Sequence, residues 1–509
     1  MFSKKFTIAL FFSLPLFWLF FILTPYYLLP SDCFLDNFVY VDNLIQHHLF
    51  QFHHQVALNF DDTDNFIYIF LLYGVKEFLN YSLYKAGIII NGISLFLSFV
   101  FLTRTISSRH SNVNFFIMLT LFLSVQIWAA LMGDGILFQG LLYIMIARAF
   151  WHKRYIGILI WFVVNTINNP INSLYLFPLI IASYSDILEL KERERRRFLL
   201  LRLRKTVFWL IIPIGIWLIY RKLYFGNFIP NLDFHYSIEK DSKILFMSKS
   251  ALYMCLHYIK YFILPLFIGV LFYFIKQGKQ LHIKHYAVLL SYIILPIIIT
   301  SLHVQDQNTA YKNYYIIYLG LLILSFIFIR DFRSITQKTA IGIFIIFYSF
   351  NQIADSFIKF SQSYNNNTFR IANDLTHIRK GKIIVYYDNY ISYLTNWESI
   401  YANGRHQPKS NRKVLSEDEI LALNPDIIIP AGIQIQSSQY STFKVPENTR
   451  QYSLETKPEN SLDQIFYEIR KAYNLNKFQY FTILVNNEKE NAAYIKKVLI
   501  DNGSKELKE

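Results

Sequence analysis

The sequence predicts an α-helical protein that crosses a membrane many times and ends in a small soluble α/β domain. Three observations support this prediction. Apolar residues gather into long segments without charges, as a hydrocarbon core about 30 Å thick requires of a spanning helix. A cluster of basic residues separates two of these segments, which is typical of the cytoplasmic side. The composition then changes near Lys380 to that of a soluble domain.

The first residues have the pattern of a retained signal anchor. Met1–Lys5 is short and basic, and Phe6–Leu29 follows it without a charge. No A-x-A cleavage site comes next, so we expect the segment to stay in the membrane. The outward loop 30–64 carries aspartates and two histidine pairs. Within it, Phe38–Phe52 is predicted to form an amphipathic helix along the membrane surface.

Roughly ten to twelve spanning helices are predicted in a catalytic domain that covers residues 1–360. After the first span, apolar segments place further spans at 65–80, 82–103, 112–130, 133–149, 154–185, 206–223, 259–275, 286–303, 313–329 and 339–358. Proline and two amides at Asn168-Asn169-Pro170 interrupt the span 154–185. If that span crosses once, Arg104 and Arg109 fall on the outer side, against the usual bias of basic loops.

The net charge of +15 is interpreted as a sign of membrane topology and not of nucleic-acid binding. Eight of the basic residues lie in one predicted loop, Lys191–Lys205. We interpret this loop as a solvated cytoplasmic segment in contact with lipid headgroups. The two cysteines, Cys33 and Cys255, are far apart in the chain, so neither a disulfide framework nor a structural zinc site is expected.

An outward-facing soluble α/β domain is predicted over residues 361–509. Its expected strands are Lys382–Tyr387, Asp426–Ile429 and Tyr480–Val485, and its expected helices are Ser416–Leu423, Leu462–Ala472 and 489–500. Strands that alternate with helices indicate an α/β domain. The domain has no glycine-rich phosphate loop in its sequence, which argues against a nucleotide site.

Carboxylates beside the predicted spans are the main candidates for chemistry. Asp36 lies shortly after the first span, where a partly desolvated carboxylate can act as general base on an acceptor hydroxyl. An ordinary loop residue or helix cap is the alternative. Asp61, Asp62 and Asp64 can bind a cation or orient a sugar, although helix capping explains them equally well. Asp134 either faces a cavity at membrane depth or caps the next helix.

The most distinctive short stretch is Tyr224-Phe-Gly-Asn-Phe-Ile-Pro-Asn231, which begins where a predicted span ends. Glycine and Pro-Asn predict a turn against the membrane surface, where backbone amides can meet a phosphate. A plain turn between a span and its outer loop is the alternative. Asp306 and Lys312 lie in the next outward loop and add charge on the same side.

Together these stretches resemble the GT-C superfamily of membrane glycosyltransferases, and within it the mycobacterial terminal arabinofuranosyltransferases. Asp36-Asn37, His53–Asn59 and Asp64–Tyr68 are similar in order to three stretches of that family. Those stretches are an Asp-Asp pair, Gly-His-Gly-Leu-Val-Phe-Asn and an aromatic segment. Trp128–Gly135 resembles W-x-x-x-S-G-x-E-T, and Tyr224–Leu232 resembles Y-Y-G-x-x-x-P-N-T.

The resemblance extends over nearly the full chain. The family's late G-G-D…R-F stretch is similar to Asp306 with Lys312. Its Tyr-Tyr and x-P-D motifs in the soluble domain are similar to Tyr386-Tyr387 and Asn424-Pro425-Asp426. Three departures leave the identity of the sugar open, because Asn37 stands at the second aspartate position, Asp134 near the glutamate position and Lys312 at the arginine position.

The resemblance implies an inverting transfer on the outer face of a bacterial inner membrane. The donor would be a polyprenyl-phosphate sugar, the acceptor a glycan, lipid or protein, and the catalytic base Asp36. The implied substrate-binding residues are Asn37, Asp61, Asp62, Asp64, Asp134, Tyr224, Asn227, Pro230, Asn231 and Asp306. Arg221, Lys260 and Lys312 are the expected contacts of the lipid phosphate. No cofactor is predicted, and a divalent cation stays an open alternative.

A transporter or flippase of a lipid-linked or small-molecule substrate is the main alternative. Many spans, a broken helix and Asp134 suit such a protein. The spans are poor in the ionisable groups of a proton-coupled pathway and show no convincing internal repeat, so we favour the transferase. A lipid-linked glycan ligase or polymerase and a structural scaffold are further alternatives.

Overall fold

The computed structural model describes the chain in segments. These are residues 32–48, 65–81, 83–106, 135–188, 191–225, 228, 283–302, 315–317, 319–324, 367–378, 381–385, 391, 395, 397–402, 415–430, 437–446 and 480–507. The chain divides into two compact units, which we call the helical unit and the mixed unit. The helical unit comprises Met1–Pro25 and Asp62–Ile353, and the mixed unit comprises Tyr26–Asp61 and Ala354–Glu509.

Helices and strands are numbered in chain order. The helices are α1 (Asp32–His47), α2 (Phe66–Leu79), α3 (Leu83–Ile106), α4 (Ile136–Trp151), α5 (Tyr155–Asn168), α6 (Ile171–Ser183), α7 (Ser185–Leu188), α8 (Glu192–Thr206), α9 (Ile212–Phe225), α10 (Ile283–Leu289), α11 (Leu295–Leu302), α12 (Asn367–Leu375), α13 (Glu417–Ala422) and α14 (Ala492–Asp501). Two π-helical turns, π1 (Val207–Ile211) and π2 (Leu290–Ile294), join α8 to α9 and α10 to α11. The strands are β1 (Lys382–Val385), β2 (Glu398–Tyr401), β3 (Ile427–Ile429), β4 (Tyr440–Pro446), β5 (Tyr480–Asn486) and β6 (Lys505–Leu507).

Apolar helices dominate the described part of the helical unit. Among the described residues, one helix is long and apolar enough by itself to cross a membrane, at Lys85–Leu102 in α3. Shorter apolar helices of 10–17 residues are Ile136–Trp151, Tyr155–Asn168, Asn172–Ser183, His285–Ile298 and Tyr315–Leu324. Leu174, Phe177 and Ile181 of α6 are each more than half exposed. An outward apolar face of this kind suits the acyl chains of a bilayer.

Contacts near the helix ends show the direction in which the helices run. The Arg148 guanidinium, close to the end of α4, lies 4.7 Å from the centre of the Phe101 ring, close to the end of α3. Because α3 also packs along α4, the two helices run in the same direction. We call the end of the helical unit that holds Arg148 and Phe101 the basic end.

Two further contacts at the basic end orient the neighbouring helices. The Tyr155 hydroxyl, at the start of α5, donates a hydrogen bond of 2.6 Å to the Tyr184 hydroxyl, just after α6. Helices α5 and α6 therefore run in opposite directions, and residues 152–154 connect α4 to α5 at this end. The Trp151 ring lies 5.5 Å from the His285 ring, so α10 also starts at the basic end.

Helix α2 does not cross the membrane, and the predicted span 65–80 is wrong. Gly135, at the start of α4, packs against the ring of Tyr68 in the first turn of α2. Helix α2 ends only a few residues before α3 begins. Because α3 and α4 are parallel, the start of α3 lies at the same end of the helical unit as the start of α4. Both ends of α2 therefore lie opposite the basic end.

The predicted span 154–185 crosses twice and not once. Helix α5 ends at Asn168 and α6 begins at Ile171, so the predicted break at Asn168-Asn169-Pro170 is confirmed as a reversal of the chain. Proline has no N–H with which to continue a helix. Arg104, in the last turn of α3, then lies at the basic end. Arg104 is therefore no longer on the outer side, where its charge would go against the tendency of basic loops to be cytoplasmic.

The predicted basic loop Lys191–Lys205 is a helix. Helix α8 continues through π1 into α9 without interruption. Arginine, leucine and glutamate are strong helix formers, and Arg196 pairs with Glu192 one turn earlier at 2.7 Å. Each π turn ends two residues before a proline, Pro213 or Pro296. In a regular α-helix the proline ring would collide with the carbonyl four residues earlier, and the wider turn avoids this collision.

Helix α1 of the mixed unit differs from its prediction as well. It covers Asp32–His47 and not Phe38–Phe52, so Asp36 lies in a helix and not in a loop. Tyr40 and Val41 are fully buried. Side chains buried to this degree show that α1 is covered by protein on this face, whereas a helix along the membrane surface would place its apolar face in the lipid.

The described strands of the mixed unit form one sheet in the order β2-β1-β3-β5-β4-β6. Strand β1 is parallel to β2 and β3, while β5 is antiparallel to β3 and β4, and β6 is antiparallel to β4. Ile384, Ile428 and Leu484 of the sheet form a core with Ile420 of α13. Helix α14 packs against β5 and β6. Helices laid on a mixed sheet make this an α/β unit.

Local sequence patterns predict about half of the mixed unit. Strands β1, β3 and β5 and helices α13 and α14 correspond to predicted elements, with ends shifted by a few residues. Strands β2, β4 and β6 are missing from the prediction because they are short or polar, and β4 ends in Pro446. The predicted helix Leu462–Ala472 lies outside the described residues, and the domain boundary at residue 360 stays a prediction.

Candidate active site

Asn168, the last residue of α5, caps the start of α2. Its Oδ1 accepts hydrogen bonds from the backbone N–H groups of Ile67 and Tyr68, at 3.1 and 3.2 Å. Asn65, in the cap position of α2, makes no side-chain cap bond of its own. Asn168 therefore supplies the cap from another helix and fixes α2 against α5. We call the end of the helical unit that holds Asn65, Gly135 and Asn168 the amide end.

Asn168 belongs to a chain of buried amides that links α4, α5 and α6. Its Nδ2 donates to Oε1 of Gln139 at 2.5 Å, and Nε2 of Gln139 donates to Oδ1 of Asn165 at 3.1 Å. Nδ2 of Asn172 donates to the backbone carbonyl of Asn165 at 3.2 Å, and its Oδ1 accepts from the Tyr143 hydroxyl. Buried amides stabilise a fold when their donors and acceptors are satisfied. This chain of bonds fixes the relative positions of the three helices.

Gly135 brings the segment that contains Asp134 to the amide end. It has a φ of +67°, and a Cβ at this position would lie 2.8 Å from the Tyr68 ring. Only glycine meets both requirements. Asp64 directly precedes Asn65 in the chain, as Asp134 precedes Gly135. Asn65 and Gly135, the described residues that follow these two acids in the sequence, therefore lie at the same end of the helical unit.

The end of α9 also lies at the amide end. The Tyr155 hydroxyl and Oγ1 of Thr206 are 2.5 Å apart, so α5 and the helix that becomes α9 start together at the basic end. Helix α9 packs against α5, and the two run in the same direction. Arg221 and Tyr224 are then at the end where Asn168 lies, because both helices rise by about 1.5 Å per residue.

Arg221 is held in an aromatic cage at the end of α9. Only 1% of the residue is exposed, and its guanidinium carbon lies 5.1 and 5.0 Å from the ring centres of Trp217 and Phe225. Its Nε donates a hydrogen bond of 3.2 Å to the carbonyl of Phe228. Arg221 therefore anchors the chain that leaves α9. Its expected contact with a lipid phosphate stays a prediction.

The chain around Asp306 and Lys312 starts from and returns to the amide end. Helix α10 starts at the basic end and leads through α11 to Leu302. The hydroxyl of Tyr315, at the start of the next helical stretch, occupies the space that a Cβ at Gly140 would need. Gly140 lies in the first turns of α4, close to the amide end. Both flanks of the Asp306–Lys312 segment are thus at this end.

Most of the predicted site residues lie outside the described residues. They are Asp61, Asp62, Asp64, Asp134, Asn227, Pro230, Asn231, Lys260, Asp306 and Lys312. Asp36 lies in α1, where the structure describes its backbone alone, and Asn37 beside it is buried. Helix α1 belongs to the mixed unit, whereas the acidic segments at the amide end belong to the helical unit. The roles of all these residues stay predictions.

No metal cluster is found in the part of the chain that the structure describes. There, no three His, Cys, Asp or Glu side chains are grouped closely enough to hold an ion. The acidic run Asp61–Asp64 lies outside this part. A divalent cation at that run therefore stays an open alternative.

The chain of amides is the part of the site that the sequence-based interpretation misses. Asn165 and Asn168 are three residues apart within an apolar segment. This spacing places side chains on one face of a helix, and polar groups in a membrane span are expected to face the protein interior. The predicted helix break includes Asn168. The spacing of three residues also identifies Asn165, which the break does not include.

The Asn424-Pro425-Asp426 motif of the mixed unit has a structural role. Nδ2 of Asn486 donates to Oδ1 of Asn424 at 2.6 Å and to the carbonyl of Pro425 at 3.1 Å. Oδ2 of Asp426 accepts from the backbone N–H of Lys382 at 2.9 Å. These bonds tie the turn before β3 to β1 and β5.

Comparison with solved structures shows a shared fold. The chain is similar to the crystal structure of ArnT from Cupriavidus metallidurans in the apo state, with a TM-score of 0.53 and 8% sequence identity. The similarity covers 84% of this chain and 93% of the ArnT chain. The chain therefore shares its overall fold with ArnT over most of both chains.

Comparison of the sequence gives no closer assignment. No protein-family model matches the chain, and no curated protein sequence matches it. The comparisons do not point to the mycobacterial terminal arabinofuranosyltransferases. The resemblance to that family therefore stays a prediction.

Proposed function

We propose that this protein is a membrane glycosyltransferase of the GT-C kind, which transfers a sugar from a polyprenyl-phosphate donor to an acceptor of the cell envelope. The observation that carries the proposal is the fold shared with ArnT over most of both chains. A second support is that Asn65, Gly135 and Tyr224, which lie beside or within the predicted motifs, are all at the amide end. A lipid-linked donor also explains why so much of the chain is apolar helix, since the donor's tail stays in the bilayer.

We propose that the reaction takes place on the outer face of a bacterial inner membrane. Arg148, Arg154 and the seven basic residues of α8 lie at the opposite end or extend from it. Segments rich in lysine and arginine favour the cytoplasmic side. The amide end, with its acidic segments, is then the end that faces outward.

The proposed step needs a base for the acceptor and positive charge for the leaving phosphate. A carboxylate removes the proton from the acceptor hydroxyl, whose oxygen bonds to the anomeric carbon as the bond to the phosphate oxygen breaks. The lipid phosphate leaves with both electrons of that bond, and inversion follows from attack on the opposite face. We assign the base to Asp36 and the leaving phosphate to Arg221, Lys260 and Lys312. Asp64 is proposed to contact the sugar.

The transporter alternative receives no support from the broken helix. In transporters, a break in a span exposes polar groups that bind substrate. Here Asn165 donates to the Leu142 carbonyl and Asn168 to Oε1 of Gln139, both in α4, while Asn172 donates to the Asn165 carbonyl in α5. The break therefore serves helix packing.

Transfer by the purified full chain in liposomes tests the proposal, with a panel of polyprenyl-phosphate sugars and cell-envelope acceptors. We expect turnover of at least one donor by the wild type. Asp36→Asn removes the base but keeps its volume, so turnover should fall by roughly 100-fold or more while the melting temperature is unchanged. A wild type that is folded and transfers no sugar contradicts the proposal.

Asp42→Asn is the matched control, because it makes the same change on the same helix. We expect this variant to keep wild-type turnover. If Asp36→Asn also keeps it, the base lies elsewhere, and Asp64→Asn and Asp134→Asn are the variants to measure next.

A further inference from the structure

Helix α8 presents a charged surface that the proposed function does not use. Every residue from Glu192 to Leu201 is exposed, and no residue of α8 is buried. Seven basic and two acidic residues give the helix a net charge of +5. The basic residues are Arg193, Arg195, Arg196, Arg197, Arg202, Arg204 and Lys205. Positive charge at this density attracts an anionic surface.

The depth of α8 in the bilayer follows from the length of the helix that contains it. From Glu192 to Phe225, roughly 34 helical residues extend over about 51 Å. A hydrocarbon core of about 30 Å takes up about 20 residues. We place one boundary of the hydrocarbon core at Lys222, an exposed charge at the amide end. The other boundary, about 20 residues earlier, then lies near Arg202. The first turns of α8 then lie roughly 8–15 Å beyond the boundary, within reach of the headgroup layer at a Debye length of about 8 Å.

Contacts at the basic end hold α8 at this depth. Nη1 of Arg202 donates to the carbonyl of Ser183, and its guanidinium carbon lies 5.1 Å from the centre of the Tyr155 ring. The Thr206 hydroxyl lies 2.5 Å from the Tyr184 hydroxyl. These bonds fix the height and the rotation of the helix where it leaves the bundle.

Exposed apolar side chains lie in the same turns as the basic ones. Phe198, Leu200 and Leu203 are 48%, 68% and 45% exposed, with arginines before and after them. An acidic soluble protein would match the positive charge of α8, but it would have to contact these apolar side chains at the depth of the lipid. The boundary between acyl chains and headgroups satisfies both kinds of residue at once.

We infer that α8 binds anionic phospholipid headgroups in the leaflet at the basic end. Arg193, Arg196 and Arg197 contact headgroups from outside the boundary, while Arg204 and Lys205 contact them at the boundary. Guanidinium groups suit this task because their planar donors match the geometry of phosphate oxygens. The apolar residues between them enter the acyl region and hold the helix against the surface.

The test uses the purified full chain in neutral detergent, with phosphatidylglycerol as the probe and phosphatidylcholine as the neutral comparison. We expect phosphatidylglycerol to raise the melting temperature saturably, by several degrees, and phosphatidylcholine to have little effect. The triple variant Arg193→Gln, Arg196→Gln, Arg197→Gln should lose most of this shift. Its melting temperature without lipid should equal that of the wild type, because all three side chains are exposed.

The matched control is the triple variant Lys444→Gln, Lys497→Gln, Lys505→Gln, which removes three exposed charges from the mixed unit. It should keep the full shift. An equal shift in both triple variants overturns the inference, as does an equal shift with phosphatidylcholine. A shift with inorganic phosphate alone would identify a free-anion site, and a shift with polyglutamate but not with phosphatidylglycerol would identify an acidic protein partner.

Salt supplies a second measurement that needs no variant. Raising the ionic strength to about 1 M shortens the Debye length to about 3 Å, so the shift caused by phosphatidylglycerol in the wild type should largely disappear. A shift that is independent of salt contradicts binding through charge.

Discussion

Among single residues, Asn168 links three helices at the candidate site, α2, α4 and α5. One side chain caps α2, bonds to Gln139 of α4 and lies where α5 ends. Asp64, which we propose as a contact of the sugar, precedes α2 by two positions in the sequence. Asn168 thus acts through another residue and is a positioning residue of the proposed transferase.

Replacing Asn168 by leucine should damage both stability and transfer. Asn168→Leu leaves the N–H groups of Ile67 and Tyr68 without their buried acceptor, and a lost cap costs about 1 kcal/mol, more where the groups are buried. We expect a melting temperature lower by several degrees and transfer reduced more than tenfold. Asn168→Asp keeps an acceptor for both groups and should restore most of both values. A leucine variant that melts and turns over like the wild type would refute this role.

The raised pKa of Tyr440 predicts that the mixed unit loses stability at alkaline pH. Burial raises the pKa of Tyr440 to about 12, from an ordinary value of 10.0. The folded unit therefore favours the neutral phenol, so this stabilisation is complete below pH 10 and is lost as the pH rises to 12. Tyr440→Phe has no proton to lose. We expect the melting temperature of the wild type to fall more steeply over this range than that of Tyr440→Phe, and equal slopes would contradict the assignment.

At the scale of elements, glycines allow helices of the helical unit to approach closely. The Tyr315 hydroxyl fills the space beside Gly140 in α4, and Cβ of Tyr292 would lie 2.5 Å from a Cβ at Gly320. Small residues at such contacts are typical of membrane helices, where close backbone approach supplies much of the packing energy.

Gly140→Ala should destabilise the helical unit. Tyr315 is buried and cannot move aside without displacing its neighbours, so overpacking should cost about 1–3 kcal/mol. Gly215→Ala is the control, because α9 leaves 4 Å of free space there and alanine favours a helix by up to about 1 kcal/mol. Thermal unfolding in detergent should show a lower melting temperature for Gly140→Ala and an equal or higher one for Gly215→Ala. Identical melting of the two variants would disprove the close contact.

At the scale of the whole molecule, the directions of the helices give a definite topology. Helix α3 runs from the amide end to the basic end, α4 runs the same way, α5 returns and α6 crosses again. The short connection between α2 and α3 is therefore on the opposite side from the turn between α4 and α5.

Cysteine labelling tests this topology. Cys33 and Cys255 are first replaced by serine, and single cysteines are then introduced as Asn80→Cys and Lys153→Cys, both at exposed positions. A membrane-impermeant maleimide added to intact spheroplasts should label Asn80→Cys, whereas Lys153→Cys should react only after the membrane is opened. Labelling of both positions from one side contradicts the assignment of α2 as a non-crossing helix.

The sequence by itself determines that this protein is built largely from apolar helices and ends in an α/β unit. Long uncharged segments predict membrane helices because a hydrocarbon core acts on each segment separately. The break after Asn168 and the strands β1, β3 and β5 follow from equally local rules for proline and for apolar runs. The order of several weak motifs predicts a fold of the GT-C kind, which agrees with the similarity to ArnT.

The tertiary structure alone decides which ends meet. A hydrophobic pattern shows which face of a helix is buried, but it does not show at which end of the helical unit the helix starts. For this reason the sequence predicts α2 to be a span, and it predicts α5 and α6 to form a single crossing. Asn168 and the Tyr68 N–H that it caps are separated by 100 positions in the chain. No local rule joins groups so far apart, because their proximity exists only after the helices have packed.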